Sequence, residues 1–389
     1  MPECAYRPAG YWSPPVQTPL PIAGERSGVE SLIAAGGMDY TVVDAHMVHA
    51  GRPVDWYGIL FGLGSDRPAL PLEDPRSVYS NYTAASSRAD RQPPVSVFPR
   101  DVQTALHVWS SSSGYPGGSP YLEFHKKYHE SGGRYWKVTG RGVGLEAKTV
   151  YSPQEAAEQV RIDAEDFAGR VHHRMREYRE QTGQDGTMSL PFDTELFGHW
   201  WHEGPAFLGA FLRRLARDED GVTPRTVPAE LDRLGPGLPV EMPEGSWGDG
   251  GDHRVWLNEE TAWTWPLLWE GERRLIDLVT SRDRGSQLEE RALKQMAREL
   301  LLAQSSDWQF LITTGSAVDY ATERLRDHIA AVGTIGDYVD SLRRGAERYD
   351  LFEELCRLEA RDRLFPALDL DHWAWKRAEE ALAAPREGD

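Results

Sequence analysis

The chain has 389 residues, a length that allows about two or three domains and a sizeable hydrophobic core. Its 61 acidic and 43 basic residues give a formal net charge of −18, which phosphate backbones and anionic lipids would repel, so nucleic acid and membranes are not expected partners. The 37 Gly, 26 Pro and 14 Trp are typical of a loop-rich globular enzyme rather than a helical bundle or a fibre.

Cysteine content and hydropathy bear on the location of the protein. Cys4 and Cys356 are the only cysteines, too few for a disulfide framework or a thiolate zinc site. No run of about 20 apolar residues occurs, and the N-terminus lacks the basic and then apolar pattern of a signal peptide. The sequence therefore predicts a cytoplasmic protein.

Two strands and a long loop are predicted in the first quarter of the chain. Residues 1–9 are expected to end a barrel strand, with Glu3 at its carboxyl edge. Residues 39–44 are rich in β-formers and predict a second strand, with the polar side chains of Asp44 and His46 at its end. Residues 64–94 have no hydrophobic periodicity and predict a long surface loop.

Strands and helices alternate in the middle of the chain. Residues 95–98 predict a strand, and residues 152–178 predict a helix that begins with an N-cap Ser, a Pro and an acidic first turn. Residues 188–192 predict another strand with Asp193 at its tip, and residues 204–215 predict the following helix. This alternation favours an α/β barrel.

The hydrophobic pattern changes from about residue 285. Apolar residues recur at helical spacing in residues 288–302, 317–332 and 335–358, and the pattern continues around Trp373. The C-terminal part of the chain is therefore predicted to be all-helical.

Two carboxylates lie in aromatic, weakly polar surroundings far apart in the sequence: Glu3 in the run 2–8 and Asp193 in the run 191–201. Cleavage of a glycosidic bond requires two such groups, one to attack or shield the anomeric carbon and one to protonate the leaving oxygen. Aromatic neighbours stack on sugar faces and raise the pKa of the acid. The pair indicates a glycosidase, while a terminal Glu3 and a helix-capping Asp193 are the structural alternatives.

The runs 2–8 and 191–201 resemble the third and fourth sequence motifs of glycoside hydrolase family 57, and their residues are most similar to those of its branching enzymes. Further matches follow in the family's order at residues 100–101, 108–110, 114–117, 246–251, 255–258 and 305–312. Family members begin with a His-x-Pro first motif and then a second motif, and this chain has neither. We therefore expect either a wrongly assigned start codon or a natural fragment.

The resemblance implies roles for individual residues. Glu3 would be the nucleophile, Asp193 the general acid and base, and Arg100 would orient the nucleophile and keep it ionised. The remaining residues that the resemblance places in substrate binding are Trp109, Trp247, Trp256 and Asp307, with His46 as a further candidate. Core packing for the tryptophans, a helix cap for Asp307 and a structural role for His46 stay open as alternatives.

The resemblance also implies an α/β fold with an appended helical domain. Residues 1–9 and 78–241 would form the C-terminal part of a (β/α)7 barrel, and residues 10–77 would be an inserted subdomain. Residues 242–389 would form an all-helical C-terminal domain.

The function implied is that of a 1,4-α-glucan branching enzyme, a retaining glycosyltransferase with α-1,4-glucan as donor and acceptor. It would move a glucan segment to a C6 hydroxyl and so introduce α-1,6 branches during glycogen biosynthesis. The alternatives are a 4-α-glucanotransferase or α-amylase of the same family, and a glucan-binding remnant without activity. The oligomeric state is left open.

One further grouping resembles a metal site. His199 and His202 are three positions apart and can share a helix face, and Glu203 follows them. Their order does not match a zinc-protease motif, and no further ligand is apparent. We therefore predict no metal and no cofactor.

Overall fold

The computed structural model describes residues 38–49, 76–84, 95–110, 113–217, 221–240, 242, 245–246, 248 and 251–374. The chain divides into two compact units, residues 1–252 and residues 253–389. The predictions for residues 1–9, including Glu3, and for Trp247 lie outside the described residues.

The first unit contains a four-stranded sheet. Its strands are β1 (Tyr40–Val43), β2 (Tyr82–Ala84), β3 (Ser96–Pro99) and β4 (Leu238–Val240), in the spatial order β1-β3-β2-β4. β1 and β3 are parallel, β2 is antiparallel to β3, and β4 is parallel to β2. The predicted strands at residues 39–44 and 95–98 are confirmed as β1 and β3.

Two predictions for this unit need correction. The long loop predicted for residues 64–94 is wrong at β2, whose Tyr82 is buried at 2% exposure. A strand of three residues is too short to show alternation in the sequence, and its pairing with two neighbours is decided by tertiary contacts. The strand predicted at residues 188–192 is reduced to one parallel bridge between Ser189 and Arg100, because Pro191 cannot donate to a ladder.

Five helices are described in the first unit: α1 (Ala45–His49), α2 (Val102–Trp109), α3 (Pro153–Thr182), α4 (Gly204–Leu215) and α5 (Val227–Leu234). The long helix α3 begins as predicted, with the Ser152 hydroxyl accepting a hydrogen bond from the Glu155 N–H at 3.3 Å. It ends at Gly183, whose φ of 71° lies in the left-handed region that closes helices. α3 packs against α4 through rings such as Phe167 and Phe211, whose centroids are 4.8 Å apart.

The second unit contains helices joined by turns and loops, and no strand, in its described residues, 253–374. Its helices are α6 (Thr264–Thr280), α7 (Gln287–Ala303), α8 (Asp307–Thr313), α9 (Val318–Arg343) and α10 (Tyr349–Arg361). The helical periods predicted at residues 288–302 and 317–332 are confirmed as α7 and part of α9. Residues 335–358 are divided between α9 and α10, because the chain turns at Gly345 with a φ of 66°.

The core of the second unit lies mainly between α7 and α9. Leu293, Met296 and Leu300 of α7 are fully buried, and Ile335 and Val339 of α9 pack in the same cluster. No described helix in either unit is long and apolar enough to cross a membrane.

Candidate functional site

Three neighbouring segments of the first unit run in the same direction and bring polar residues to one edge. β1 is parallel to β3, and Arg100, which follows β3, forms a parallel bridge with Ser189. The Asp101 N–H donates to the Ser189 carbonyl at 3.0 Å, and the Arg100 N–H donates to the Val43 carbonyl at 2.9 Å. The carboxyl ends of parallel strands are where α/β enzymes keep their reactive groups.

A buried ion pair joins the ends of β1 and β3. Arg100 Nη2 lies 2.6 Å from Asp44 Oδ2, and both side chains are more than nine-tenths buried. The two residues become neighbours because Val43 and Pro99, which precede them, are paired in register. Burial raises the pKa of Asp44, but Arg100 and His46 lower it by more, so that its pKa lies below the ordinary value of 3.8.

His46 lies on the other side of Asp44. Its Nδ1 is 3.5 Å from Asp44 Oδ1, and its Nε2 is 3.2 Å from the Gly251 carbonyl oxygen. The residue is only 5% exposed. Both ring nitrogens of His46 therefore face groups of the protein itself, as in a buried structural histidine.

Asp193 stands at the start of the turn that follows the Ser189 bridge. It is exposed and precedes a short 3₁₀ turn over Thr194–Leu196, to which its side chain makes no capping hydrogen bond. The predicted alternative of a helix cap is therefore not seen. Although residues 188–192 form no full strand, Asp193 follows by four positions the Ser189 that bridges Arg100.

The turn after Asp193 is anchored in the core by Trp201, which is 1% exposed. Its N–H donates to the Leu196 carbonyl at 2.9 Å, and its own carbonyl accepts from the Gly198 N–H at 2.8 Å. Gly198 has a φ of 101°, a conformation that side-chain-bearing residues rarely adopt. A Cβ on Gly204 would lie 2.8 Å from the Phe197 backbone, so close packing also requires glycine there.

Trp109 is the last residue of α2 and is half-buried against the core of the first unit. The loop that follows is held by Arg141, whose Nη2 donates to the Gly114 carbonyl at 2.7 Å. A Cβ on Gly117 would approach the Arg141 guanidinium to 2.7 Å, so that glycine permits the contact. Part of the Trp109 ring area is therefore packing, as the structural alternative predicted.

Two predicted substrate-binding residues lie in the second unit. Thr313, the last residue of α8, donates to the Val255 carbonyl at 2.6 Å and accepts from Asn258 Nδ2 at 2.8 Å. These bonds tie the half-buried Trp256 segment to α8, whose first residue is Asp307. Asp307 is exposed, and its Oδ2 accepts from the Ser305 hydroxyl at 3.0 Å.

One group of potential metal ligands occurs within the described residues: Glu299, His328 and Asp362, whose ligand atoms lie within 4.8 Å of one another. Arg324 donates to His328 Nε2 at 2.9 Å, so the ring proton is on Nδ1, which donates to Glu299 at 2.7 Å. Arg361 lies 2.6 Å from Asp362. The side chains of this group are therefore paired with one another and with Arg324 and Arg361 of the protein, in the places where a metal ion would bind.

Comparison with known proteins gives consistent matches. Residues 268–373 match the family described as "1,4-alpha-glucan branching enzyme, C-terminal". The chain is 40% identical over 330 residues to the 1,4-alpha-glucan branching enzyme of Thermococcus kodakarensis, an alignment that covers 84% of this chain and 46% of that enzyme.

Solved structures of similar proteins give the same result. The crystal structure of that Thermococcus enzyme superposes with a TM-score of 0.76 at 37% identity, covering 96% of this chain and 64% of that one. The GH57-type branching enzyme of Pyrococcus horikoshii superposes with a TM-score of 0.73 at 36% identity, covering 96% of this chain and 63% of that one. An alpha-amylase of Thermotoga maritima superposes with a TM-score of 0.65 at 29% identity, covering 90% of this chain and 63% of that one. The chain thus spans less than two thirds of the length of these relatives.

Proposed function

Because the chain belongs to glycoside hydrolase family 57, we propose that it acts on α-1,4-glucan as a 1,4-α-glucan branching enzyme. The relatives named branching enzymes support this proposal, and the enzyme as a whole would include the part of those relatives that this chain does not span. The observation that carries it is that Asp193 is exposed at the start of an anchored turn, which follows the segment bridged to Arg100 at the end of β3.

In the proposed reaction, Glu3 attacks the anomeric carbon of an α-1,4 bond and forms a glycosyl-enzyme. Asp193 gives its proton to the leaving O4, and then removes the proton from the C6 hydroxyl of an acceptor chain, which attacks the same carbon. One α-1,4 bond is broken, one α-1,6 bond is formed, and two inversions retain the configuration. Direct attack of this kind requires a carboxyl separation of about 5–5.5 Å between Glu3 and Asp193.

Arg100 would keep the nucleophile ionised. A guanidinium near Glu3 lowers the pKa of that carboxylate. The support for this role is that Arg100 is fixed at the sheet edge by Asp44, with 2.6 Å between the charged atoms. The contacts of His46 with Asp44 and Gly251 favour its structural role over substrate contact.

The domain arrangement is part of the same proposal. Residues 1–9 and 78–241 would belong to a (β/α)7 barrel, residues 10–77 would be inserted into it, and residues 242–389 would form the helical domain. The parallel bridge between Arg100 and Ser189 supports the first assignment. β1, which belongs to residues 10–77, pairs with β3, so that part of the inserted residues shares the sheet. The helices and turns of residues 253–374, which include no strand, support the last assignment.

The side chains proposed to bind glucan are Trp109 and Trp247 in the first unit, and Trp256 and Asp307 in the second. The exposed Asp307 and the half-buried Trp256 are tied to the two ends of α8, so the helix would present them together to one chain of sugar. An acceptor held by Trp256 would take the glycosyl group in place of water.

We predict that Trp256→Ala lowers branching more than hydrolysis. Loss of the indole removes apolar area that holds the acceptor, while the reaction with water needs no acceptor. The measurement is the ratio of α-1,6 linkages to new reducing ends after incubation with amylose. Trp263→Ala, at another half-buried tryptophan of the same unit, is the matched control and should leave the ratio unchanged. Equal loss of both activities in Trp256→Ala would show that Trp256 serves packing only.

A second candidate function is hydrolysis of α-glucan, which the similarity to the Thermotoga alpha-amylase favours. The same products separate the candidates. A branching enzyme forms α-1,6 linkages with few new reducing ends, a hydrolase forms reducing ends alone, and a 4-α-glucanotransferase changes chain lengths without either.

A further inference from the structure

Residues 122–137 of the first unit form a hairpin whose aromatic side chains the proposed mechanism does not use. Leu122 and Lys137 form an antiparallel bridge, and the Glu123 N–H donates to the Trp136 carbonyl at 2.8 Å. At the tip, the Tyr128 N–H donates to the Gly133 carbonyl at 2.8 Å. The backbone of the hairpin is therefore held by hydrogen bonds along its length.

One aromatic side chain of this hairpin, Phe124, contacts the turn after Asp193. Phe124 packs against Trp200 with ring centroids 4.4 Å apart, and the Arg134 guanidinium lies 4.6 Å from the Phe124 ring centroid. Next to Arg134 in the chain, Tyr135 contacts Tyr128 edge to face at 6.3 Å. We call these five residues the aromatic stripe.

Three rings of the aromatic stripe are exposed well beyond what core packing requires. Tyr135 is 55% exposed, Trp200 is 48% exposed and Tyr128 is 38% exposed. Phe124 and Arg134 are half-buried; Phe124 supports Trp200, and the two tyrosines contact each other. Large exposed rings on a fixed support are a feature of binding surfaces.

The aromatic stripe begins at the candidate active site. The Trp200 N–H donates to the Glu195 carbonyl at 3.2 Å, within the turn whose first residue is Asp193. Trp200 thus belongs to the turn that follows Asp193, and its contact with Phe124 joins this turn to the hairpin.

The chemistry of the aromatic stripe fits a neutral, hydroxyl-rich chain. Tyr and Trp combine an apolar face with a polar edge, which matches a sugar ring. Three of the four lysine and arginine side chains of the hairpin are engaged within the protein, and Lys127 is the exposed fourth. Lys126 lies 4.7 Å from the Trp136 ring centroid and donates to the Leu145 carbonyl. Arg134 Nε donates to the Phe124 carbonyl at 2.8 Å, and Lys137 lies 2.7 Å from Glu155. An anionic ligand would thus find no uncommitted charge on Lys126 or Arg134.

We propose that the aromatic stripe is a second binding surface for α-1,4-glucan, on which the outer sugar residues of a long chain stack while its reacting end lies at Asp193. This inference rests on the proposed function and deepens it. Short oligosaccharides would not reach the tyrosines, and long chains would gain affinity from them.

The test uses the full chain and measures migration in native gels that contain amylose, together with titration by maltotriose. The double variant Tyr128→Ala and Tyr135→Ala should bind amylose roughly 10-fold more weakly, the sum expected for two stacked rings. Its affinity for maltotriose should be unchanged. The variant Tyr135→Phe should retain most of the amylose affinity, because the ring face is kept.

Tyr349→Ala is the matched control, since Tyr349 is 70% exposed but lies in the second unit outside the aromatic stripe. Circular dichroism should show that all variants fold, as the side chains removed are exposed. If the wild-type chain binds amylose and the double variant binds it as well as Tyr349→Ala does, the proposed binding role of the aromatic stripe is wrong, while the proposed function stands. Absence of amylose binding by the wild-type chain would overturn the proposed function as well.

Discussion

Asp193→Asn is expected to lower the rate of glucan transfer by about 10²–10⁴-fold, the contribution of a positioned general acid and base. Asn has the same shape but can neither give a proton to the leaving O4 nor remove one from the acceptor. Asp193 is exposed and the substitution keeps the shape of its side chain, so the turn should keep its backbone hydrogen bonds. Formation of α-1,6 linkages and of reducing ends from amylose measures the rate, and migration in amylose gels measures binding, which should be unchanged.

The matched control is Asp185→Asn, at an exposed carboxylate of the same unit that pairs with Arg179. It should keep the wild-type rate. If both variants lose the same activity, or if Asp193→Asn keeps more than about one tenth of the rate, Asp193 is not the proton donor.

Asp44→Asn is expected to lower the free energy of unfolding of the first unit by roughly 3–5 kcal/mol at neutral pH, the range for breaking a buried ion pair. The substitution removes the carboxylate that lies 2.6 Å from Arg100 while the guanidinium stays buried. Urea unfolding, followed by a spectroscopic signal from the first unit, measures the difference in free energy of unfolding between variant and wild type.

The effect of Asp44→Asn should depend on pH. The pKa of Asp44 is lowered in the folded state, so its ionised form adds stability above the ordinary value of 3.8. That stability is lost as the pH falls through the lowered pKa, and the difference between wild type and variant should shrink there. Asp185→Asn, which removes a carboxylate from a surface ion pair, should have little effect on the free energy of unfolding at neutral or acidic pH. If the stability difference between wild type and Asp44→Asn does not change with pH, the contact between the ends of β1 and β3 is stabilised by packing and not by charge.

Local signals predicted the helices well. Ser152 and Pro153 define the start of α3 as predicted, by capping chemistry that acts over a few residues, whereas the helix runs to Thr182 and not only to the predicted residue 178. The predicted helix at residues 204–215 is confirmed as α4 with the same bounds. Such features depend on neighbours in the sequence, so they are visible without the fold.

Features that join distant segments could not be predicted in the same way. The sequence indicated that Asp44 and Arg100 follow strands, but their 2.6 Å contact depends on β1 and β3 being neighbours in register. The bonds from Thr313 that tie the Trp256 segment to α8 also span more than 50 positions. No local pattern of polar or apolar residues encodes such pairings.

The candidate site shows the same division. Asp193, Trp256 and Asp307 were assigned from motifs, and the buried position of His46 between Asp44 and Gly251 emerged only with the fold. The aromatic stripe was also missed, because Trp200 lies some 65 positions or more from the hairpin residues it continues.

The most direct test of the proposed branching activity is the number of α-1,6 linkages formed when the protein is incubated with linear amylose, counted by proton NMR and by debranching. We expect α-1,6 linkages to accumulate and iodine staining to fall while reducing ends rise little, and we expect none of this with Asp193→Asn. Reducing ends that accumulate without α-1,6 linkages, or unaltered amylose that the protein nevertheless binds, would contradict branching activity in this chain.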